Sequence, residues 1–130
     1  MELKEITTDI LIIGAGPAGL SAALYAARAG KKTMVLKGKS RPHLDMAHRV
    51  DNYPGIESTT GPVLLAAMEA QAKRFGAEII EGDALSLGLD SDTKMVGTRS
   101  EFITARAVIL AMGKGEHLKH IPGEEDYLGM

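Results

Sequence analysis

Cysteine is missing altogether from this 130-residue chain. That excludes a disulfide, a thiolate metal site and a redox-active dithiol within these residues. Tryptophan is also missing, and aromatic residues make up only 4% of the chain. So few rings argue against a surface on which bases could stack. An excess of one charge sign is missing too: the net charge is −2, with no basic stripe. Such a balance predicts no nucleic-acid partner. No apolar run approaches the roughly 18 residues of a membrane span, so no membrane is expected. The start, MELKEITTD, is charged and lacks the apolar centre of a signal peptide. A cytoplasmic protein is the expectation. What remains is a composition with 45% hydrophobic and 25% charged residues, which suits one domain with a real core.

The most informative stretch is DILIIGAGPAGLSAALYAARAG, Asp9 to Gly30. Ile10 to Ile13 is too short and too isoleucine-rich for a helix and reads as a strand buried on both faces. Gly14, Gly16 and Gly19 follow at once in the spacing GxGxxG. An alanine- and leucine-rich helix, Leu20 to Ala29, ends at Gly30. This strand–turn–helix context gives a weak motif its meaning. Gly14 lets the chain turn sharply, Gly16 lets a pyrophosphate reach the backbone, and Gly19 lets the helix pack close to the strand. The first-turn N–H groups and the helix dipole, from Ala18 onward, then face the anion. Pro17 fits the first turn, where its missing N–H is no loss. A glycine-rich turn with no ligand is the competing reading.

Met1 to Thr8 reads as a short polar lead-in. Lys31 to Leu36 reads as a second parallel strand closing a βαβ unit. Ser40 to Thr60 carries Pro42, Pro54 and Gly55 and reads as a loop. Its His43 and His48 supply too few ligands for a metal site and read as surface or loop-packing residues. Gly61-Pro62 opens a second helix, with Leu64, Leu65, Met68, Ala72 and Phe75 at helical spacing and Gly76 at its end. Its methionines read as core filler. Ala77 to Gly82 is a third strand candidate. Ala84 to Asp90, Met95 to Thr98 and Glu101 to Thr104 form an antiparallel meander, with Leu85, Leu87 and Leu89 on one face. Ala105 to Met112 reads as a separate buried strand returning to the parallel sheet. The predicted class is α/β: a Rossmann-like domain with a central parallel sheet, flanking helices and a small β-meander.

One position breaks the dinucleotide pattern. An acid about 20 residues past the glycines normally accepts hydrogen bonds from a ribose. Here the second strand ends in Lys37, and an ammonium cannot accept. Three readings stand: a solvated strand-end residue, an adenosine contact through stem or backbone, or a partner for the 2′-phosphate of NADP(H).

With these residues in view, the chain resembles the N-terminal FAD-binding part of the thioredoxin reductase family. The pieces are DILIIGAGPAGLSAALYAARAG, the turn Asp51-Asn52-Tyr53-Pro54-Gly55, the helix opened by Gly61-Pro62, Ala105 to Gly113 ending in AMG, and IPGEEDYLG from Ile121 to Gly129. The resemblance implies FAD, with its pyrophosphate over Gly14, Gly16 and Ala18. It implies adenosine near Leu36 and Lys37, with adenine by Ala84. It implies Asn52 beside the flavin, and Ala111 and Gly113 lining the cofactor. In that family FAD passes electrons from NADPH to a protein disulfide. Three departures stand out. Lys37 replaces the usual acid, Lys39 to His48 replaces a Gly-Gly-Gln segment, and the nicotinamide domain with its Cys-x-x-Cys is absent from residues 1–130.

The expectation is therefore one partial FAD- or NAD(P)-binding domain over residues 1–130, a fragment or otherwise incomplete alone. No residue earns a catalytic assignment; His43, His48, His117 and His120 are placed at no reacting atom. An incomplete site exposes apolar surface, which predicts a homodimer or a complementing chain. The alternatives are an NADP(H)-binding domain that uses Lys37, and a non-catalytic nucleotide-binding or assembly subunit.

Overall fold

The first strand is more than twice as long as its apolar centre: β1 spans Lys4–Ile13. The computed structural model describes residues 2–113. Leu11, Ile12 and Ile13 are buried, as an interior strand requires. The polar lead-in does not hold from Lys4 onward. Those residues pair with the last strand, Lys4 opposite Glu101 and Thr7 opposite Thr104. Backbone pairing needs no apolar side chain, so a solvated strand half carries no hydrophobic signature.

Helix α1 (Pro17–Arg28) and strand β2 (Thr33–Lys37) complete the βαβ unit. Pro17 occupies the first turn as expected, and Gly30 turns the chain at φ +82°. The segment after β2 holds a 3₁₀ turn, His43–Met46, and a bridge between Val50 and Thr59. Helix α2 spans Gly61–Arg74. Its N-cap is Thr60, whose Oγ1 accepts from the Val63 N–H at 3.3 Å; such a cap contributes about 1 kcal/mol. Met68 packs against the core, but Phe75 lies outside it, exposed at the helix C-cap.

Strands β3 (Glu78–Glu81), β4 (Ser86–Gly88), β5 (Lys94–Gly97) and β6 (Glu101–Leu110) follow. The six strands form one mixed sheet in the order β3-β2-β1-β6-β5-β4. Two expected strands, Glu101 to Thr104 and Ala105 to Met112, are one. β6 runs antiparallel to β5 along its first half and parallel to β1 along its whole length. It is also less buried than expected. Ala105 is buried, yet Ile109 and Leu110 are exposed. The leucine row of β4 is likewise open, with Leu85 and Leu87 exposed: β4 is an edge strand, and alternation there does not report burial.

Both helices lie on one face. Leu20, Ala23 and Ala27 of α1 and Leu65 and Ala72 of α2 pack with Ile12 and Val35. On the other face, Leu11, Ile13, Met34 and Leu36 meet Val96, Ile103 and Ala105. The meander thus takes the place a second helical layer would have. One irregularity interrupts the alternation of β1. The N–H groups of Asp9 and Ile10 both donate to the Lys32 carbonyl, each at 3.0 Å. This bulge shifts the alternation, so that Ile6 joins the same cluster as Leu11 and Ile13.

Candidate functional site

The carboxyl ends of β1, β2 and β6 meet at the glycine turn, where open α/β sheets hold their ligands. The Gly14 N–H donates to the Leu36 carbonyl at 3.0 Å, and the Ala111 N–H donates to the Ile13 carbonyl at 2.8 Å. Gly14 adopts φ +115°, and a Cβ there would lie 2.1 Å from the Ala111 oxygen. Gly19 faces inward: a Cβ would stand 1.8 Å from the Gly14 oxygen. Both glycines are therefore required by packing. Gly16 differs. A Cβ there would meet only Pro42, at 3.5 Å. Gly16 also caps α1 with no side-chain hydrogen bond. The first intrahelical bond runs from the Leu20 N–H to the Gly16 carbonyl at 2.9 Å. The donors of the first turn ahead of it, at Ala18 and Gly19, thus have no side-chain cap. A bare backbone face at an uncapped helix N-terminus fits a pyrophosphate in size and sign.

The structure brings most of the expected residues to this edge. Gly14, Gly16, Pro17, Ala18 and Gly19 form the turn and the start of α1. Leu36 is buried, so only its backbone faces the edge. Ala111 packs against the helix-side core, and Gly113 follows at φ +68°. Ala84 sits apart, against the meander-side core. Asn52 lies in an exposed turn with Gly55 at φ +94°. His43 and His48 are both exposed. The segment Ile121 to Gly129, with His117 and His120, lies outside the described residues.

Lys37 is not a free cation. Its Nζ donates to Glu69 Oε2 of α2 at 3.2 Å, and Lys73 reaches Glu69 Oε1 at 3.2 Å. Partial burial acts to raise the Glu69 pKa; the hydrogen bonds from Lys73 and Lys37 outweigh it and hold the carboxyl below its ordinary value. A depressed carboxyl contributes stability above its unfolded pKa and loses it as pH falls through the folded one. Glu69→Gln is therefore expected to flatten the acid limb of a pH–stability curve below the ordinary glutamate range. The effect should stay under about 1 kcal/mol, because the pair is solvent-accessible. Equal acid slopes for both proteins in urea unfolding would overturn it.

Sequence reasoning missed Glu69, although a signal was there. It falls four residues after Leu65 and three before Ala72, on the buried stripe of α2. An acid in an apolar stripe calls for a partner. Asp83 was also missed: its Oδ1 accepts from the Lys39 N–H at 3.0 Å. A Cβ at Gly38 would come within 2.7 Å of that oxygen, so the Asp83 side chain would have to shift to admit one. Lys37, Gly38, Lys39, Glu81 and Gly82 line an open cleft of about 360 Å³ between the ends of β2 and β3.

A βαβ glycine turn, a mixed sheet and a meander over its second face define a Rossmann-type domain. The chain belongs to the pyridine nucleotide-disulphide oxidoreductase family, whose pattern matches residues 8–130. Within it, the similarity is to thioredoxin reductases. The enzyme of Peptoclostridium acidaminophilum is 44% identical over 96% of this chain and 40% of its own length. That of Aquifex aeolicus is 41% identical over 99% of this chain and 41% of its own. The structure of a thioredoxin reductase from Gloeobacter violaceus superposes with a TM-score of 0.83 at 38% identity, covering 95% of this chain and 40% of that one. The chain thus spans about two-fifths of the length of these relatives. It is a thioredoxin reductase-like domain. Among the described residues no helix is long and apolar enough to cross a membrane.

Proposed function

We propose that this chain is the FAD-binding portion of a flavoprotein oxidoreductase that moves electrons from NAD(P)H to a disulfide or a related acceptor. The observation that carries it is Gly16: an open backbone face at an uncapped helix N-terminus, between two glycines that packing alone explains. Gly14, Gly16, Pro17, Ala18 and Gly19 take the pyrophosphate. Leu36 and Lys37 border the adenosine, and Ala84 the adenine. Asn52, Ala111 and Gly113 border the flavin. Bound FAD would supply the two-electron chemistry, and these residues bind and orient it. No side chain here is assigned an acid, base or nucleophile. A cytoplasmic location goes with this reading, since reductases of disulfides work in reducing compartments.

NADP(H) binding through Lys37 is the weaker reading, because that lysine is already engaged by Glu69. The exposed Ile109, Leu110 and Met112 support self-association or a complementing chain. The test joins absorbance to light scattering on the purified chain. Flavin bands after FAD addition, on a species larger than a monomer, are expected. A colourless monomer that takes up no FAD would sink the proposal and leave a nucleotide-free assembly module.

A further inference from the structure

The end of β2 is where a dinucleotide fold needs an acceptor for ribose hydroxyls, and Lys37 offers none. Lys37 stands directly beside the glycine turn, because the preceding residue, Leu36, accepts the Gly14 N–H. Leu36 points to the meander side of the sheet. Alternation therefore turns Lys37 to the helix side, where α2 brings Glu69 to its Nζ. The second oxygen of Glu69 is held by Lys73, one helical turn further on. Each carboxylate oxygen has two lone pairs, and each spends one on a lysine. The rest can accept from hydroxyl groups. The Glu69 side chain keeps 21% of its surface accessible, so it is fixed but not sealed. Glu81 is the register partner of Lys37 and lies on the same side, which adds a second negative charge to this corner.

Resting on the FAD reading above, we infer that Glu69, delivered from α2 and clamped by Lys37, is the group that accepts the ribose hydroxyls of the adenosine and selects an unphosphorylated ribose. Lys37 then acts as a positioning residue. A 2′-phosphate brought to the same corner has no hydroxyl proton to give the Glu69 carboxylate, and the two nearest lysines are already engaged by it. The pair thus restores a hydrogen-bond acceptor to this corner from a different element of the fold.

The experiment titrates the wild-type chain, Glu69→Gln and Glu69→Asp with FAD, with 5′-ADP and with 2′-phosphorylated 5′-ADP, by calorimetry. Thermal unfolding by circular dichroism is followed in parallel. Wild type should prefer 5′-ADP over its 2′-phosphorylated form. Glu69→Gln should bind FAD and 5′-ADP about tenfold more weakly, as the loss of charge-assisted hydrogen bonds requires. Its preference against the 2′-phosphate should vanish. Glu69→Asp should keep that preference, and a merely structural role would not separate the two variants this way. If wild type binds FAD while Glu69→Gln keeps the same affinity and the same preference, the inference about Glu69 fails and the FAD reading stands. If wild type binds neither FAD nor 5′-ADP, both fail.

Discussion

A chain carrying Gly16→Ala is expected to keep its fold and lose the FAD binding proposed above. The backbone at Gly16 is extended, at φ −80° and ψ −173°, a conformation any residue adopts. The added methyl meets only Pro42, at ordinary contact distance. Alanine is a poorer N-cap than glycine, so the fold should lose at most about 1 kcal/mol. The same methyl fills the face on which the pyrophosphate would rest. It displaces the anion from the first-turn donors of α1, where both hydrogen bonding and dipole act at short range. FAD affinity should fall by about a hundredfold, on the order of 3 kcal/mol. Melting within a few degrees of wild type, together with lost flavin absorbance, is the expected pair of results. Undiminished FAD binding would remove Gly16 from the cofactor site.

Gly14→Ala should do the reverse and damage the fold itself. Two costs add at this position. The φ of +115° is closed to an L side chain without strain, and the new Cβ would stand 2.1 Å from one backbone atom of Ala111 and 2.6 Å from another. Backbone atoms cannot rotate away as a side chain tip can. The neighbouring bond from Ala111 to the Ile13 carbonyl, at 2.8 Å, holds β6 in place. Strain and overpacking together should cost about 3–5 kcal/mol, a large share of the 5–15 kcal/mol typical of a domain. The melting temperature should drop by roughly 10–20 °C. An unchanged melting curve would show that β6 does not approach β1 this closely in solution.

These two glycines also show what a linear reading can reach. The turn at Gly14 and the packing at Gly19 follow from local spacing, and both were legible. The pressure of Ala111 on Gly14 was not, because it depends on β6 lying beside β1, nearly a hundred residues away in sequence. The continuity of β6 was hidden for a related reason. Its first half, where Glu101 and Thr104 interrupt the apolar residues, and its apolar second half differ in pattern, although one strand runs through both and the first half is the more buried. Helix α2 was readable from its periodicity, its Gly61-Pro62 opening and its Gly76 stop, while the exposure of Phe75 at its C-cap was not. Lys37 stands out of pattern in the sequence itself. Its partner lay on an element whose orientation only the assembled sheet determines.

The bridge that closes the long segment before α2 has a thermodynamic consequence. Val50 and Thr59 exchange two backbone hydrogen bonds, at 2.7 and 2.8 Å. The Thr60 cap and Gly61 follow at once, and a Cβ on Gly61 would fall 1.6 Å from the Leu44 oxygen. Everything that anchors the helix therefore lies below the pinch, and the Asn52 turn lies above it. The entropy of closing such a loop rises only with the logarithm of its length. The stretch above the pinch can therefore change length and sequence at little energetic cost, while the helix start below it cannot. Evolution could retune what sits against a bound cofactor through that stretch, and leave the scaffold untouched.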